Sequence, residues 1–225
     1  MSTTVNSTTP ITAVLFDLDG TLLDTADDLG AALNYVLAQY GKPAVAAKDY
    51  RPIASDGALG LLNLGFGESI KQYDYEDLRQ QFLAYYENNI ATHTCLYPGV
   101  AKLLEQLENN HILWGIITNK PEGLTKKLLP HYAEFANCAV MVGGDTLAKR
   151  KPDPEPILHA CQQIQANNQQ CFYVGDALRD IQAGNSALMK TFVANWGYIL
   201  ADEDCQTWQA DHIINAPTDL LAFIR

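Results

Sequence analysis

The sequence predicts an α/β protein in which helices cover both faces of a parallel β-sheet. Short apolar runs with β-branched residues alternate with helix-like stretches along most of the chain, as they do when helices join parallel strands. The runs are apolar throughout, which is typical of strands buried on both faces. The block from about residue 27 to about residue 94 contains only helical patterns. We therefore expect a helical insert after the first strand.

The first strand is predicted at residues 12–16, which are apolar and partly β-branched. Five further strands are predicted at 112–117, 139–142, 171–174, 191–194 and 211–214. Helices are predicted at 100–108, 122–130, 154–165, 178–187 and 218–224, and within the insert at 28–40 and 77–89. The chain thus divides into a core (11–26 and 95–225), an insert (27–94) and a disordered tail (1–10).

The charge of the chain limits its partners. Its 15 basic and 26 acidic residues give a net charge of -11. A chain this acidic, without a Lys/Arg-rich run, is a poor binder of nucleic acid or of an anionic membrane. It also repels a phosphorylated substrate at long range. A phosphate site must therefore be built locally, from a metal ion, a lysine and backbone N–H groups.

The sequence predicts neither a secreted nor a membrane protein. The five cysteines are scattered and form no Cys-x-x-Cys pair, which argues against a disulfide framework and a zinc site. Residues 1–9 have neither the basic start nor the apolar stretch of a signal peptide. No apolar run approaches the roughly 20 residues that span a bilayer. We expect a cytoplasmic enzyme, either a monomer or a homodimer.

Two carboxylates follow the first strand, in Asp17-Leu18-Asp19-Gly20-Thr21. In an open parallel sheet, ligands bind beyond the carboxyl ends of the strands. Two carboxylates this close repel each other, and a bound Mg²⁺ would relieve the repulsion, because it prefers oxygen ligands. Gly20 permits a sharp turn and a close approach of backbone N–H groups to a phosphate. A solvated acidic turn or a helix cap is the alternative.

Three candidate phosphate-binding residues follow later strands. Thr118 and Asn119 end the second core strand, where a hydroxyl and an amide can bond phosphate oxygens, although the pair is also ordinary turn chemistry. Lys151 opens Lys-Pro-Asp-Pro before a helix, and a lysine suits both phosphate and clustered carboxylates. The alternative for Lys151 is a solvated basic tip, because Lys149 and Arg150 stand beside it.

A second pair of carboxylates, Asp176 and Asp180, follows the fourth core strand. They are about one helical turn apart, so both can face the same point. N-capping of the helix that follows would explain one of them, but is an uneconomical explanation of both.

The chain resembles the haloacid dehalogenase superfamily in four motifs, which match in residue type, in order and in position after strands. They are Asp17-x-Asp19-Gly20-Thr21, Thr118, Lys151-Pro152 and Gly175-Asp176-x-x-x-Asp180. The resemblance implies a Rossmann-like, doubly wound parallel sheet as the core, with a helical cap inserted after the first motif. That cap would be the block of residues 27–94.

The resemblance also implies a role for each matching residue. Asp17 would be the nucleophile and Asp19 the general acid and base. Thr118 and Lys151 would bind the phosphate, and Lys151 would also hold Asp17. The metal ligands would be Asp17, Asp176 and the backbone carbonyl of Asp19, with Asp180 in support. The implied enzyme is a Mg²⁺-dependent phosphomonoesterase that acts on a small phosphorylated metabolite through an aspartyl-phosphate.

Within the superfamily, three segments resemble the phosphoglycolate phosphatases and the neighbouring N-acetylmuramic acid 6-phosphate phosphatases. They are Thr118-Asn119-Lys120-Pro121, Lys151-Pro152-Asp153-Pro154 and Trp196-Gly197-Tyr198. The tail segment Trp208-x-Ala210-Asp211 is more similar to the amino-sugar branch. Phosphoglycolate is therefore the first candidate substrate and the amino-sugar phosphate the alternative.

The organic part of the substrate has to be recognised outside these motifs, because they contact only phosphate and metal. Ser55, Asp56 and Gly57 are the candidate specificity loop of the cap, since they offer a hydroxyl, a carboxylate and backbone N–H groups. An ordinary helix cap is the alternative.

Two rival functions share part of this chemistry. A phosphomutase would protect its aspartyl-phosphate from water. A non-catalytic phospho-acceptor domain would need neither Asp19 nor the insert.

Overall fold

The computed structural model describes residues 10–224, so the predicted tail 1–10 lies outside it except for Pro10. The strands are β1 (Ala13–Phe16), β2 (Leu23–Asp24), β3 (Cys95–Leu96), β4 (Leu113–Ile117), β5 (Val140–Val142), β6 (Cys171–Gly175), β7 (Lys190–Ala194) and β8 (His212–Ile214). Six of them form one sheet in the order β5-β4-β1-β6-β7-β8, and every neighbouring pair is parallel. The predicted α/β fold class is confirmed. The chain crosses β1 between β5 and β6, which makes the end of β1 a topological switch point.

The helices are α1 (Ala26–Gln39), α2 (Ala47–Tyr50), α3 (Gly57–Phe66), α4 (Tyr75–Asn88), α5 (Val100–Asn109), α6 (Glu122–Leu128), α7 (Glu155–Gln163) and α8 (Leu178–Ser186). The last predicted helix is instead a 3₁₀-helix, Pro217–Phe223. Short terminal segments adopt this tighter form readily, because they have few i→i−4 bonds to lose. No helix within residues 10–224 has the length and apolar character that crossing a bilayer requires.

Both faces of the sheet are covered. Val14 of β1 packs in an apolar cluster with Leu103 of α5. Leu15, the next residue, packs on the opposite face with Ile157 of α7 and Ala183 of α8. All four residues of β1 are therefore buried, and the residue that follows the strand has a fixed position.

The helices α1 to α4 lie between the short strands β2 and β3. These two strands pair antiparallel, Leu23 opposite Leu96 and Asp24 opposite Cys95. Sequence periodicity misses them, because two residues are too few to show a period. The helices α1, α3 and α4 pack against one another. The buried side chains they share include Leu33, Leu37, Leu61, Phe66 and Phe82.

Candidate active site

Three polar side chains stand at the carboxyl ends of neighbouring strands: Asp17 after β1, Thr118 after β4 and Asp176 after β6. The Asp17 N–H donates to the Val174 carbonyl and the Thr118 N–H to the Val142 carbonyl, each over 2.9 Å. The sheet ladder thus extends to the first site residues and fixes their backbones. None of the three residues is more than 5% exposed.

Lys151 links two of the aspartates. Its Nζ lies 2.7 Å from Asp17 Oδ1 and 2.7 Å from Asp180 Oδ1, and its side chain is 1% exposed. Asp180 also caps α8, because its Oδ2 accepts the Ala177 N–H over 3.0 Å. Lys151 is therefore not a solvated tip, and Asp180 both caps a helix and faces the site.

Two core residues hold both carboxylate oxygens of Asp176. Its Oδ1 accepts the Thr21 hydroxyl and its Oδ2 accepts the Tyr198 N–H, each over 2.9 Å. Gly20, at φ 90°, and Gly197 leave no space around this carboxylate, since a Cβ on either would lie 2.2 Å from an Asp176 side-chain atom. Only glycine fits these two positions without displacing Asp176.

The carboxylates of Asp17, Asp176 and Asp180 can each place one oxygen within 4.8 Å of the others. Burial raises the pKa of Asp17 from 3.8 to about 6, against the opposing effect of Lys151. Burial and the charges of Asp17 and Asp180 raise the pKa of Asp176 to about 7. Three buried carboxylates share one buried ammonium, so the cluster lacks positive charge. A divalent cation with oxygen ligands fits that deficit.

Asp19 belongs to a separate group, and its carboxylate is not part of this cluster. The Thr25 hydroxyl donates to Asp19 Oδ1 over 2.6 Å, and Lys120 Nζ lies 2.8 Å from the same oxygen. Within residues 10–224, Asp19 Oδ2 has no hydrogen-bond partner. One oxygen of Asp19 is thus fixed and the other is available to a ligand.

Thr118 and Asn119 differ in what they can offer a phosphate. Thr118 Oγ1 accepts the Lys120 N–H over 3.0 Å, so its own proton is free to donate. One N–H of Asn119 Nδ2 donates to the Lys151 carbonyl over 2.9 Å and so helps to position Lys151. The second N–H of the amide is left for a ligand, and the side-chain oxygen has no partner within residues 10–224. The predicted contact of Asn119 with phosphate stays a prediction.

A cavity of about 840 Å³ separates this group from the insert. Ser55, Asp56 and Gly57 line it at the junction of a 3₁₀-turn with α3. Asp56 makes no side-chain capping bond to α3, so the helix-cap alternative gains no support. Ser55 Oγ donates to Asp176 Oδ2 over 3.1 Å, and Arg179 donates to Asp56 Oδ1 over 3.1 Å. The predicted specificity loop therefore forms direct hydrogen bonds with two core residues at the edge of the cavity.

Four residues at the site were missed by the sequence analysis. Lys120 and Arg179 lie inside segments that it singled out, and their charge was the available signal. Tyr198 lies in the Trp-Gly-Tyr segment; its hydroxyl accepts the N–H groups of Thr25 and Ala26 over 2.6 and 2.9 Å. Tyr86 of α4 lines the cavity, but in sequence it is one apolar residue of an amphipathic helix.

Comparison with known proteins gives consistent matches. The family model described as haloacid dehalogenase-like hydrolase matches residues 14–194. The chain is 44% identical to a phosphoglycolate phosphatase of Xanthomonas campestris, over 92% of this chain and 94% of that protein. It is 37% identical to an N-acetylmuramic acid 6-phosphate phosphatase of Pseudomonas aeruginosa, over 93% and 92%.

A solved structure agrees with these relatives. The crystal structure of a predicted phosphoglycolate phosphatase from Haemophilus somnus has a TM-score of 0.86 and 26% identity, covering 96% of this chain and 98% of that one. The sheet, the four motifs and the extent of these matches lead to one conclusion. The chain belongs to the haloacid dehalogenase-like hydrolase family and is a phosphatase, a phosphoric monoester hydrolase, of that family.

Proposed function

We propose that this phosphatase is a Mg²⁺-dependent phosphomonoesterase that acts on a small phosphorylated metabolite through an aspartyl-phosphate on Asp17. The observation that carries the proposal is the buried pairing of Asp17 with Lys151 beside two further carboxylates. Lys151 holds Oδ1 of Asp17. The second oxygen is then the one that can attack phosphorus.

In the first half-reaction, Asp17 Oδ2 forms a bond to phosphorus while the bond from phosphorus to the ester oxygen breaks. Asp19, protonated on Oδ2, donates its proton to the departing alkoxide. Lys151 and the Thr118 hydroxyl stabilise the charge on the transferring phosphoryl group.

In the second half-reaction, the Asp19 carboxylate takes a proton from water. The water oxygen attacks phosphorus and the acyl-phosphate bond breaks. Inorganic phosphate leaves, Asp17 is restored as a carboxylate, and Asp19 is protonated again for the next cycle.

Asp17, Asp176 and the Asp19 backbone carbonyl are the groups that we assign to Mg²⁺, with Asp180 beside them. When bound, the ion would offset negative charge on the transferring group. We expect activity on p-nitrophenyl phosphate to be lost in excess chelator and restored by Mg²⁺, with Ca²⁺ a poor substitute because it favours looser, higher coordination. Full activity in excess chelator would contradict the metal dependence.

The first candidate substrate is phosphoglycolate, supported by the relative at 44% identity that carries that name. The size of the cavity favours a second candidate. Its volume of about 840 Å³ is near the upper end of the roughly 300–1,000 Å³ typical of small-molecule pockets. A two-carbon acid fills little of it, and the larger N-acetylmuramic acid 6-phosphate, named for another relative, fills more.

The two candidates are separated by measuring kcat/KM for both compounds side by side. We expect turnover of at least one of them, and a preference for the amino-sugar phosphate if the whole cavity is used. Turnover of neither, with p-nitrophenyl phosphate hydrolysed, would leave the phosphatase assignment intact and exclude both substrates.

The block 27–94 is proposed as the cap, because its helices α1, α3 and α4 contribute the wall of the cavity opposite the core. Closing it would keep bulk water from the reacting group. We expect a cytoplasmic enzyme, a monomer or a homodimer, whose partner is a small phosphorylated metabolite. The net charge of -11 argues against nucleic acid as a partner.

A further inference from the structure

Lys120 is a buried cation that the reaction scheme above does not use. It lies between β4 and α6, and its side chain is 6% exposed. Its ammonium has two neighbours, Asp19 Oδ1 at 2.8 Å and the ring of Tyr86, whose centroid lies 4.6 Å away. Asp19 belongs to the core and Tyr86 to α4 of the cap. The site of Lys120 is therefore built from both.

Electrostatics shows that these neighbours stabilise the charged amine. A carboxylate oxygen at 2.8 Å and the face of an aromatic ring at 4.6 Å both attract a positive charge. Lys120 thus stays an ammonium, and it needs both partners to offset the cost of desolvation. Removing the cap ring would expose the ammonium to water and weaken its hold on Asp19.

The contacts of Asp19 show what this hold does. Thr25 and Lys120 both bind Oδ1, and a carboxylate held at one oxygen by two groups cannot rotate freely. Asp19 lines the same cavity as Asp17, and its Oδ2 is the oxygen without a partner within residues 10–224. Thr25 lies in the segment that enters the cap, whereas Lys120 approaches from the second core motif and is the partner in contact with a cap ring.

We propose that Lys120 is a positioning residue that fixes the general acid–base Asp19 for proton transfer, and that Tyr86 of the cap completes its site when the cap is closed. This role rests on the proposed function. The contact of Lys120 with Tyr86 would couple closure of the cap to the orientation of Asp19. With the cap open, Asp19 would then be poorly oriented to protonate the leaving group.

The test is a comparison of two leaving groups in the variant Lys120→Met. Phenyl phosphate and p-nitrophenyl phosphate share a ring and differ in how much the leaving oxygen needs a proton. Nitrophenolate departs without one, whereas phenolate relies on the acid. We expect kcat/KM for phenyl phosphate to fall at least about tenfold further than for p-nitrophenyl phosphate, a part of the 10²–10⁴ that a positioned acid contributes.

Three further variants complete the design. Lys120→Arg keeps the charge and should recover much of the ratio between the two substrates. Tyr86→Leu removes the ring and should change the ratio in the same direction as Lys120→Met, but less. Lys127→Met is the matched control, because Lys127 forms another ion pair between core and cap, with Glu87, at an exposed position. It should leave the ratio unchanged.

Equal losses on both substrates in Lys120→Met would overturn the positioning role, because a merely structural or phosphate-binding lysine predicts that result. Unchanged kcat/KM on both substrates would overturn it too. Neither substrate presents a carboxylate or hydroxyl group, so recognition of the organic group cannot imitate the expected effect. A wild-type protein inactive on both substrates would instead refute the proposed function.

Discussion

The two sides of the cavity, the core side and the side formed by the proposed cap (27–94), differ in where the partners of their side chains come from. On the core side, Lys151 binds Asp17 and Asp180, each at 2.7 Å, and all three residues come from the core. On the cap side, two residues of the insert form direct hydrogen bonds with core residues: Ser55 with Asp176, and Asp56 with Arg179.

This difference suggests a division of roles, with the catalytic steps on the core side and substrate selection on the cap side. Lys151, Asp17 and Asp180 bind one another without a residue of the insert, so opening of the proposed cap would leave these contacts in place. The contacts of the cap side exist only when the two parts meet. We therefore expect changes to Asp17, Lys151 or Asp180 to affect every substrate equally. Changes on the cap side, or at Lys120, which contacts the Tyr86 ring, should affect substrates according to their organic part or leaving group.

The largest effect should come from Asp17→Asn, which removes the attacking charge. We expect kcat to fall by at least about three orders of magnitude on every phosphate ester, as when covalent catalysis is lost. The measurement is kcat on p-nitrophenyl phosphate and on the natural substrate, with circular dichroism to confirm folding. A variant that kept a tenth of the wild-type kcat, or lost activity on one substrate only, would contradict the assignment of Asp17 as the nucleophile for every substrate.

A smaller, selective effect should come from Ser55→Ala combined with Asp56→Ala. We expect kcat/KM for the natural substrate to change about tenfold or more, the value of one or two lost hydrogen bonds. Hydrolysis of p-nitrophenyl phosphate should be nearly unchanged, because that compound offers no hydroxyl or carboxylate to this loop.

The matched control for the loop variant is Asp74→Ala. Asp74 accepts the Glu76 and Asp77 N–H groups at the start of α4, so its loss removes a helix cap worth about 1 kcal/mol. It should lower the melting temperature and leave the ratio between substrates unchanged. Parallel losses on both substrates in the double variant would mean that the loop only fastens the cap to the core.

The smallest effect concerns stability and pH. The pKa of Asp17 is raised from 3.8 to about 6 and that of Asp176 to about 7. Between about pH 4 and pH 7 the metal-free folded protein therefore holds protons that the unfolded chain has released, and its unfolding free energy decreases as pH rises. Mg²⁺ competes with these protons. The rise in melting temperature on adding Mg²⁺ should thus be larger at pH 8 than at pH 5.5, and an equal rise at both would contradict the shared site.

Much of the core side could be predicted from sequence, because local signals determine it. A buried strand that ends in Asp17 has few interpretations, and α5 was predicted within one residue of Val100–Asn109. Lys151 was recognised as a candidate from its residue type and position. Its distances to Asp17 and Asp180 depend on the order of strands in the sheet, which local pattern does not specify.

The cap side was harder to predict for the same reason. Arg179 lies 123 residues from Asp56, and Lys120, which follows β4, contacts a ring of α4 that belongs to the distant insert. Neither contact leaves a periodic or compositional trace in the chain. The contacts of Asn119 show a further limit, since its residue type suits phosphate but does not reveal that one of its two amide N–H groups binds the Lys151 carbonyl.

The antiparallel pairing of β2 with β3 has a consequence for the evolution of the molecule. Leu23 lies opposite Leu96 in a two-stranded sheet separate from the main one, so the insert begins and ends at adjacent points. The entropy lost on closing a loop grows only slowly with its length, and the β2–β3 pairing holds the two ends of the insert together whatever the length between them. Segments of very different size could be grafted at the same junction without disturbing the sheet. A lineage could thus acquire new specificities by exchanging one module while its catalytic machinery is inherited unchanged.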